Sequence, residues 1–287
     1  MTLITGNTRV FYILGDPVAQ VRAPEVYNHL FQQHGIDAVL VPLKLPAAAL
    51  PGFLAHGMKA DNIGGFWATI PHKSALAALL QPTDPVAAIA GAVNAVKRHA
   101  DGRLEAALFD GIGFVKGLDH FGIGLSGRRV LVVGAGGGGH AVAAAMAQRG
   151  PATLAVFNRT RERASSLVER LQPIAGSAAV VADSADPAGF DLIVNCTSQG
   201  LKADDALPFD PAGVDAGAAV VDIIMSKVPT PLLRECRARG LKAEAGFEML
   251  VQQVPEYLRF FDFDAIAQAL QADLSGVRAL LVPKQAS

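Results

Sequence analysis

Short apolar runs alternate with amphipathic stretches along the first hundred residues, and each run is ended by glycine, proline or polar residues. A run of this kind predicts a buried strand, whereas apolar positions three and four residues apart predict a helix. Strands are predicted over Val10–Gly15, Ala38–Leu43 and Ile63–Ile70, from Gly91 onward, and over Arg103–Phe109. Helices are predicted after Pro24, over Ala47–Gly57 and from Pro71 to Leu80. This alternation favours a parallel α/β layer.

The alternation restarts at Arg129, after a predicted helix over Gly111–Phe121 that crosses between two domains. Strands are predicted over Val130–Val133, Thr153–Phe157, Ala178–Ala182, Asp191–Val194 and Ala218–Ile224. Helices are predicted over Ala141–Arg149 and Arg161–Leu171, and the tail from about Gly246 is expected to be helical. This second half predicts a doubly wound nucleotide-binding domain.

The length of 287 residues suits about two domains. The expected division is a substrate-binding domain over residues 1–110 and a dinucleotide-binding domain over residues 111–245. Residues 246–287 are expected to form C-terminal helices that pack back on the first domain.

Composition excludes several classes of protein. Hydrophobic residues make up 51% of the chain and charged residues 18%, which is typical of a folded protein with real cores. The 25 basic and 26 acidic residues leave a net charge of −1, so the basic excess of a nucleic-acid binder is missing. We therefore expect no nucleic-acid partner.

Mean hydropathy is +0.32, which raises the question of a membrane span. The longest stretch without a charged residue, Val130–Gln148, contains four consecutive glycines, Gly136–Gly139. A spanning helix would not carry such a run, so this stretch predicts a buried strand, a glycine turn and a helix. No membrane partner is expected.

The two cysteines, Cys196 and Cys236, are far apart, which indicates neither a disulfide scaffold nor a zinc ribbon. No metal site is expected. The first seven residues lack the basic and then apolar pattern of a secretory signal, so a cytoplasmic enzyme is expected.

The segment Gly134-x-Gly136-x-x-Gly139 fits the dinucleotide-binding fingerprint. With 29 glycines in the chain the spacing alone is a weak signal, but a predicted strand precedes it and a predicted helix follows it. The first glycine allows a tight turn, the second lets the backbone approach a pyrophosphate, and the helix N-terminus faces the anion. The predicted cofactor-binding loop comprises Gly134, Ala135, Gly136, Gly137 and Gly138.

The end of the second strand in this domain distinguishes the two nicotinamide cofactors. NAD enzymes usually place an aspartate or glutamate there to bind the ribose hydroxyls. This chain has Asn158, Arg159 and Thr160, with Arg163 shortly after them. Arg159 can pair with a 2′-phosphate or stack on adenine, and Thr160 can donate a hydroxyl. The four residues predict an NADP site, the alternative being a solvated basic helix start.

Seven short segments occur in an order and spacing that resemble the shikimate/quinate 5-dehydrogenase family over essentially the whole chain. They are Leu14–Pro17, Ala68–Lys73, Gly91–Asn94, Asp110–Gly113, Asn158–Thr160, Asn195–Gly200 and Gly246–Gln253. The resemblance implies two α/β domains, an N-terminal substrate domain and a Rossmann NADP-binding domain, with a cleft between them. It implies an NADP-dependent oxidoreductase of aromatic amino acid biosynthesis that interconverts shikimate-like cyclic alcohols and their 3-dehydro ketones.

The resemblance gives Lys73 and Asp110 the roles of a proton-transfer pair. Oxidation of a secondary alcohol requires an acceptor for the hydroxyl proton within hydrogen-bond reach, and a lysine can serve if burial lowers its pKa. From the residues alone, Lys73 is typical of a solvated helix start and Asp110 of a helix N-cap.

The resemblance also assigns contacts to the two ligands. Thr69, Asn94 and Gln253 match positions that bind the substrate. Thr197, Ile223 and Gly246 match positions that bind the cofactor, the last two beside its nicotinamide. Without the resemblance, Thr69 would be interpreted as a hydroxyl on a strand, Asn94 as an amide in a turn and Gln253 as an amide on a helix surface.

The chain departs from the family where the substrate carboxylate is bound. The family's two serines in the loop after the first strand are replaced by Val21 and Ala23, and a tyrosine is replaced by Met225. Trp67 stands where an asparagine is common. Arg22, between the two replaced serines, either binds the carboxylate in their place or is a surface cation. Shikimate is therefore expected to be a poor substrate, and the alternative is an analogue with a different group at that position.

Other functions remain open. A non-catalytic nucleotide-binding or regulatory relative on the same fold is one alternative, although such a protein would be expected to lose Lys73 or Asp110. A methylene-tetrahydrofolate dehydrogenase fits the shape, but Gly91–Asn94 and Asn158–Thr160 fit the shikimate family better. The expected partner is a small cyclic hydroxy acid or an analogue of one, and the protein is expected to be a monomer or a homodimer.

Overall fold

The computed structural model describes residues 4–82, 84–202, 204–226 and 228–281. The strands are β1 (Arg9–Gly15), β2 (Ala38–Lys44), β3 (Ile63–Ala68), β4 (Ala95–Arg98), β5 (Leu104–Ala107), β6 (Arg129–Val133), β7 (Thr153–Phe157), β8 (Ala179–Val181), β9 (Leu192–Asn195), β10 (Ala219–Asp222) and β11 (Lys242–Ala245).

The helices are α1 (Ala23–Gln33), α2 (Leu50–His56), α3 (His72–Leu80), α4 (Pro85–Ala90), α5 (Asp110–His120), α6 (Gly137–Ala147), α7 (Arg161–Ala175), α8 (Pro231–Ala238), α9 (Glu248–Gln252), α10 (Val254–Phe260), α11 (Asp264–Ala269) and α12 (Ser275–Leu281). Short 3₁₀ turns at Ala47–Ala49 and Gly57–Lys59 flank α2. In the part of the chain that the structure describes, no helix is both long and apolar enough to cross a bilayer.

The chain folds into two compact units. The first contains the described chain up to Phe109 and from Gln253 onward, and the second contains Asp110–Gln252. The second unit thus includes α9, which the sequence analysis grouped with the C-terminal helices. Helix α9 packs along α5, where a Cβ on Gly117 would lie 3.5 Å from Cβ of Glu248. The lack of a side chain at Gly117 lets the two helices approach closely.

The first sheet has the order β2-β1-β3-β4-β5. Strands β1, β2 and β3 are parallel, as predicted, whereas β4 is antiparallel to both β3 and β5 and departs from the predicted parallel layer. The reason is the route of the chain between β3 and β4. Helices α3 and α4 return it to the edge where β3 ends, and the backbone N of Ala68 there donates to the carbonyl of Asn94. The predicted strand from Gly91 begins only at Ala95, because Gly91 ends α4 in a left-handed conformation.

An aromatic core covers one face of this sheet. Trp67 on β3 lies 5.7 Å from Phe11 on β1, 4.7 Å from Tyr27 on α1 and 4.2 Å from Phe261 after α10, measured between ring centroids. It also stacks on Tyr257 of α10. Only 3% of Trp67 is exposed. Trp67 is therefore part of the core of the first unit.

The second sheet is entirely parallel and has the order β11-β10-β9-β6-β7-β8. From β6 the chain winds outward through β7 and β8 on one side and through β9, β10 and β11 on the other. This is the doubly wound arrangement, and it confirms the predicted Rossmann domain. The uncharged stretch Val130–Gln148 forms most of β6, the glycine turn and α6, as predicted. Elements α4, α8 and β11 were not predicted.

Candidate functional site

A cavity of about 330 Å³ opens at the carboxyl end of the second sheet. It lies where β6 and β9 are neighbours but their following connections diverge, the place where doubly wound sheets bind ligands. Its lining residues are Val133, Gly134, Gly136, Phe157, Asn158, Arg159, Thr160, Arg163, Cys196, Thr197, Ser198 and Gln199. Seven of the predicted cofactor positions are therefore together: Gly134, Gly136, Asn158, Arg159, Thr160, Arg163 and Thr197.

The glycine loop needs its glycines for close packing. Gly134 has φ +112°, and a Cβ there would lie 2.8 Å from the carbonyl carbon of Cys196. A Cβ at Gly139 would clash with the carbonyl oxygen of Gly134. A Cβ at Gly136, the N-cap of α6, would meet nothing within 4 Å. The first and third glycines thus hold the loop against its neighbours, and the second leaves room for a ligand at the helix N-terminus.

Asn158 joins this loop to the one after β7. Its Oδ1 accepts from the backbone N of Ala135 at 3.0 Å, and its Nδ2 donates to the carbonyl of Thr160 at 2.9 Å. Both ends of the amide are thus used within the protein. Asn158 lines the cavity, and these two hydrogen bonds position Ala135 and Thr160.

The loop after β7 supplies positive charge. Arg161 pairs with Asp183 at 2.6 Å, whereas Arg159 and Arg163 have no side-chain hydrogen bond or ion pair within the described ranges. No described aspartate or glutamate lines the cavity. Two exposed guanidinium groups without a carboxylate beside them suit a ligand with a phosphate group.

Gly138, Ile223 and Gly246 lie together outside the cavity lining. A Cβ at Gly138 would lie 2.8 Å from Cδ1 of Ile223, and a Cβ at Gly246 would lie 2.6 Å from its Cα. The predicted positions Ala135 and Gly137 belong to the same glycine turn, although they do not line the cavity.

Five lining residues were not predicted from the sequence, namely Val133, Phe157, Cys196, Ser198 and Gln199. Ser198 and Gln199 could have been predicted from their place in the loop after β9. Strand β9 lies next to β6 at the point where the sheet order reverses, and ligands bind there. Burial and the charge of Asp222 raise the pKa of the Cys196 thiol, which disfavours the reactive thiolate form.

Thr69, Lys73 and Asn94 belong to the first unit. Thr69 follows β3, and its backbone N donates to the carbonyl of Leu14. Lys73 lies half-buried in the first turn of α3, and its carbonyl accepts from the backbone N of Val93 at 3.0 Å. Residues 69, 73 and 94 therefore cluster at the carboxyl end of β3.

Asn94 is buried, and its Oδ1 accepts from the backbone N of Phe109 at 3.0 Å. Gln253 is 6% exposed and lies at the N-cap of α10, and its Oε1 has no hydrogen-bond partner among the described residues. An unpartnered buried amide oxygen is costly, which makes Gln253 a position with spare hydrogen-bonding capacity.

The loop after β1 carries the departures from the family pattern. Val21 and Ala23 are both half-buried. Between them, Arg22 donates from Nη2 to the carbonyl of Leu280 in α12 at 3.1 Å, and its Nε lies 3.3 Å from Oε1 of Glu25. Nη2 is thus engaged within the first unit, whereas Nε is buried and has no hydrogen-bond partner among the described residues.

Asp110 is the first residue of α5 and belongs to the second unit, whereas Lys73 belongs to the first.

Met225 lies in the loop after β10 and is 41% exposed. Across the described residues no cluster of three or more His, Cys, Asp or Glu side chains could hold a metal ion.

Residues 13–96 match the family model described as the shikimate dehydrogenase substrate binding domain, and residues 117–201 match the one described as shikimate / quinate 5-dehydrogenase. The shikimate dehydrogenase (NADP(+)) of Rubrobacter xylanophilus is 37% identical over 278 residues, which cover 95% of this chain and 98% of the relative.

Two solved structures are similar over nearly the whole chain. Shikimate 5-dehydrogenase from Thermus thermophilus, in complex with NADP(H) and shikimate, has 32% identity and a TM-score of 0.81, covering 95% of this chain and 98% of that one. The ligand-free 5-ketofructose reductase of Gluconobacter sp. strain CHM43 has 25% identity and a TM-score of 0.81, covering 95% and 100%. With both family models matched and whole-length relatives above 30% identity, the chain belongs to the shikimate/quinate 5-dehydrogenase family.

Proposed function

We propose that the protein is an NADP-dependent oxidoreductase that interconverts a shikimate-like cyclic alcohol and its ketone. The observation that carries this proposal is the cavity of the second unit. Among the described residues, Arg159 and Arg163 have no ion-pair partner beside the glycine loop, and no carboxylate lines the cavity. The Rubrobacter relative and the Thermus structure, both named with NADP, support the same cofactor.

The residues present fit this cofactor. The open space at Gly136 and the N-terminus of α6 suit a pyrophosphate, and Arg159, Thr160 and Arg163 suit the 2′-phosphate. When bound, NADP supplies the acceptor or donor of hydride.

The chain's own task in the reaction is to move the hydroxyl proton. In the oxidation direction, Nζ of Lys73 accepts the proton of the substrate hydroxyl as a neutral amine, and in the reduction direction the ammonium returns it to the developing alkoxide. Asp110 orients the lysine and the hydroxyl. Thr69, Asn94 and Gln253 are proposed to contact the substrate. The Oε1 of Gln253 has no partner among the described residues, which supports its role as a substrate contact, since a substrate hydroxyl can donate a hydrogen bond to it.

The loop after β1 supports a substrate other than shikimate. Val21 and Ala23 offer no hydroxyl, and Met225 offers no phenol. Nη2 of Arg22 donates to the carbonyl of Leu280 and its Nε lies near Glu25, which supports its interpretation as a surface cation rather than a carboxylate ligand. A carboxylate at this loop would be left with few donors, and an unpaired carboxylate in a partly dry site is costly.

A second candidate function follows from the loss of hydroxyl groups at Val21 and Ala23. The Gluconobacter relative is named for a substrate that is a ketosugar, which has no carboxylate. The apolar pair Val21 and Ala23 favours a neutral polyhydroxy ketone of this kind over a hydroxy acid.

The proposal is tested by comparing substrates with the purified protein. We expect NADP-linked turnover with at least one cyclic or polyhydroxylated alcohol–ketone pair, and a lower kcat/KM for shikimate and quinate than for analogues in which the carboxylate is removed or neutralised. Turnover is followed by the absorbance of NADPH in both directions. Absence of NADPH binding would contradict the proposal. Binding without turnover of any tested pair would favour the non-catalytic alternative.

Restoring the two serines is expected to improve the use of shikimate. In the Val21→Ser, Ala23→Ser double variant, KM for shikimate should fall by roughly tenfold or more, because about 1.4 kcal/mol of regained hydrogen bonding corresponds to each factor of ten. The effect should be in KM rather than kcat, since Lys73 is unchanged. The measurement is steady-state kinetics with shikimate at saturating NADP.

The matched control introduces two serines at exposed positions, Ala47→Ser with Ala49→Ser, and should leave KM unchanged. A low-micromolar KM for shikimate in the unmodified protein would contradict this prediction. So would a double variant with no gain, which would mean that another group already holds the carboxylate.

A further inference from the structure

A buried carboxylate stands at the end of β10, directly before the loop that carries Ile223. The side chain of Asp222 is fully buried, and both of its oxygens accept hydrogen bonds. Oδ1 accepts from Asn195 Nδ2 at 3.0 Å and from the backbone N of Ile224 at 3.1 Å. Oδ2 accepts from Thr230 Oγ1 at 2.6 Å. The three donors come from β9, from the loop after β10 and from the N-cap of α8.

Asn195 extends this network to the loop after β9. Its Nδ2 also donates to the carbonyl of Gln199 at 3.3 Å, and its Oδ1 accepts from the backbone N and the hydroxyl of Thr197 at 3.0 and 2.7 Å. The hydroxyl of Thr197 in turn accepts from the backbone N of Gln199 at 3.0 Å. The loop that lines the cavity is therefore linked to the same carboxylate as the loop after β10.

The loop after β10 leaves little room for movement. If Gly246 carried a Cβ, that atom would lie 2.6 Å from Cα of Ile223. A Cβ on Gly138 would lie 2.8 Å from Cδ1 of Ile223. Ile223 thus lies between the end of β11 and the first turn of α6. A small shift of its backbone would be transmitted to the glycine turn, and the hydrogen bond from Ile224 to Asp222 holds that backbone in place.

The hydrogen bonds to this carboxylate offset the free-energy cost of burying its charge. Burial raises the pKa of Asp222, whereas the hydrogen bonds from Thr230, Ile224 and Asn195 lower it and so favour the charged form. A buried charge is tolerated only when it is paired or well hydrogen-bonded. Asp222 meets that condition as an acceptor for three donors from separate segments.

We propose that Asp222 is a positioning residue for the cofactor. Through Ile224 it fixes the loop that carries Ile223, where the nicotinamide is expected. Asn195 also donates to Asp222 but holds the cavity-lining loop by its own bonds to Thr197 and Gln199. Because its side chain is fully buried, Asp222 acts through these neighbours and does not touch the cofactor itself. This inference rests on the proposed NADP-dependent function.

The test separates the two ends of the cofactor. Isothermal titration calorimetry gives Kd for NADPH and for 2′-phospho-ADP-ribose, which lacks the nicotinamide. In Asp222→Ala, Kd for NADPH should rise by about tenfold or more, as for a lost hydrogen bond to a charged group. Kd for the fragment should change by less than about twofold, since Asn195 keeps its bonds to Thr197 and Gln199.

Two further variants serve as a conservative replacement and as a matched control. Asp222→Asn can keep its carbonyl on Asn195 and Ile224 while the hydroxyl of Thr230 rotates to accept from the amide, so it should restore NADPH affinity to within about threefold of the unmodified protein. Asp215→Ala removes an exposed aspartate that accepts from the backbone N of Gly189 at 3.0 Å, and it should change neither Kd.

An equal rise of both Kd values in Asp222→Ala, or no rise in either, would overturn the inference. Failure of Asp222→Asn to restore NADPH affinity would also overturn it, because hydrogen-bond geometry would then not be the cause. If the alanine variant does not fold, Asp222→Ser replaces it with the same expected split, since serine can still engage one donor. An unmodified protein that binds neither ligand would overturn the cofactor assignment, and this inference with it.

Discussion

Replacing Lys73 with alanine is expected to lower kcat by about 10²- to 10⁴-fold, the usual contribution of one general acid–base group. The methyl side chain can neither accept the hydroxyl proton during oxidation nor return it during reduction. Cofactor affinity should be unchanged, because the proposed NADP-binding residues lie in the second unit and Lys73 lies in the first. The measurement combines steady-state kinetics on the preferred substrate with calorimetric titration of NADPH.

Lys59→Ala is the matched control, since Lys59 is an exposed lysine of the same unit in the 3₁₀ turn after α2. It should keep the kcat of the unmodified protein. Near-normal turnover in Lys73→Ala would remove Lys73 from the mechanism. A loss of NADPH affinity equal to the loss of turnover would instead indicate a general defect of the fold.

The preference for NADP over NAD is expected to be about 10- to 150-fold in kcat/KM, the equivalent of roughly 1.5–3 kcal/mol from a charge-assisted contact to the 2′-phosphate. Arg159→Ala should remove much of this preference by raising KM for NADP while KM for NAD changes little. The reason is that Arg159 lines the cavity with no carboxylate partner in the part of the chain that the structure describes, so its guanidinium is available to an anion. Kinetics with both cofactors at a fixed substrate concentration measure the effect.

Arg161→Ala provides the comparison, because Arg161 lies two positions further along and is paired with Asp183 at 2.6 Å. This variant should keep the preference of the unmodified protein. Equal kcat/KM for the two cofactors in the unmodified protein would contradict the assignment of the 2′-phosphate site. Equal loss in the two arginine variants would point to the overall charge of the loop instead.

Most of the second unit could be predicted from the sequence because its signals are local. The strand before Gly134 and the glycines themselves are contiguous in the chain, and close packing against backbone atoms requires glycine at positions 134 and 139. The run Asn158–Thr160 follows the next strand directly, so its place at the same end of a parallel sheet follows from topology. Seven predicted cofactor positions consequently line one cavity.

The features that the sequence analysis did not predict depend on contacts between distant parts of the chain. The direction of β4 is set by how α3 and α4 return the chain to the end of β3, and the alternation of strand and helix does not reveal it. Trp67 occupies a position expected in the substrate site, yet it packs against Tyr257 and Phe261 from the C-terminal helices.

The two side chains most informative about this site also depend on distant partners. Arg22 could be interpreted from its neighbours as a carboxylate ligand or as a surface cation, and only the fold brings the carbonyl of Leu280 to its guanidinium. Asp222 carried no signal of its own, because its donors Asn195 and Thr230 meet it only when β9, β10 and α8 assemble. Periodicity and motif spacing determine which residues share a strand, a turn or a helix face. Which polar group meets which partner is decided by packing, because a hydrogen bond requires atoms within about 3 Å and residue spacing does not fix such a distance across elements.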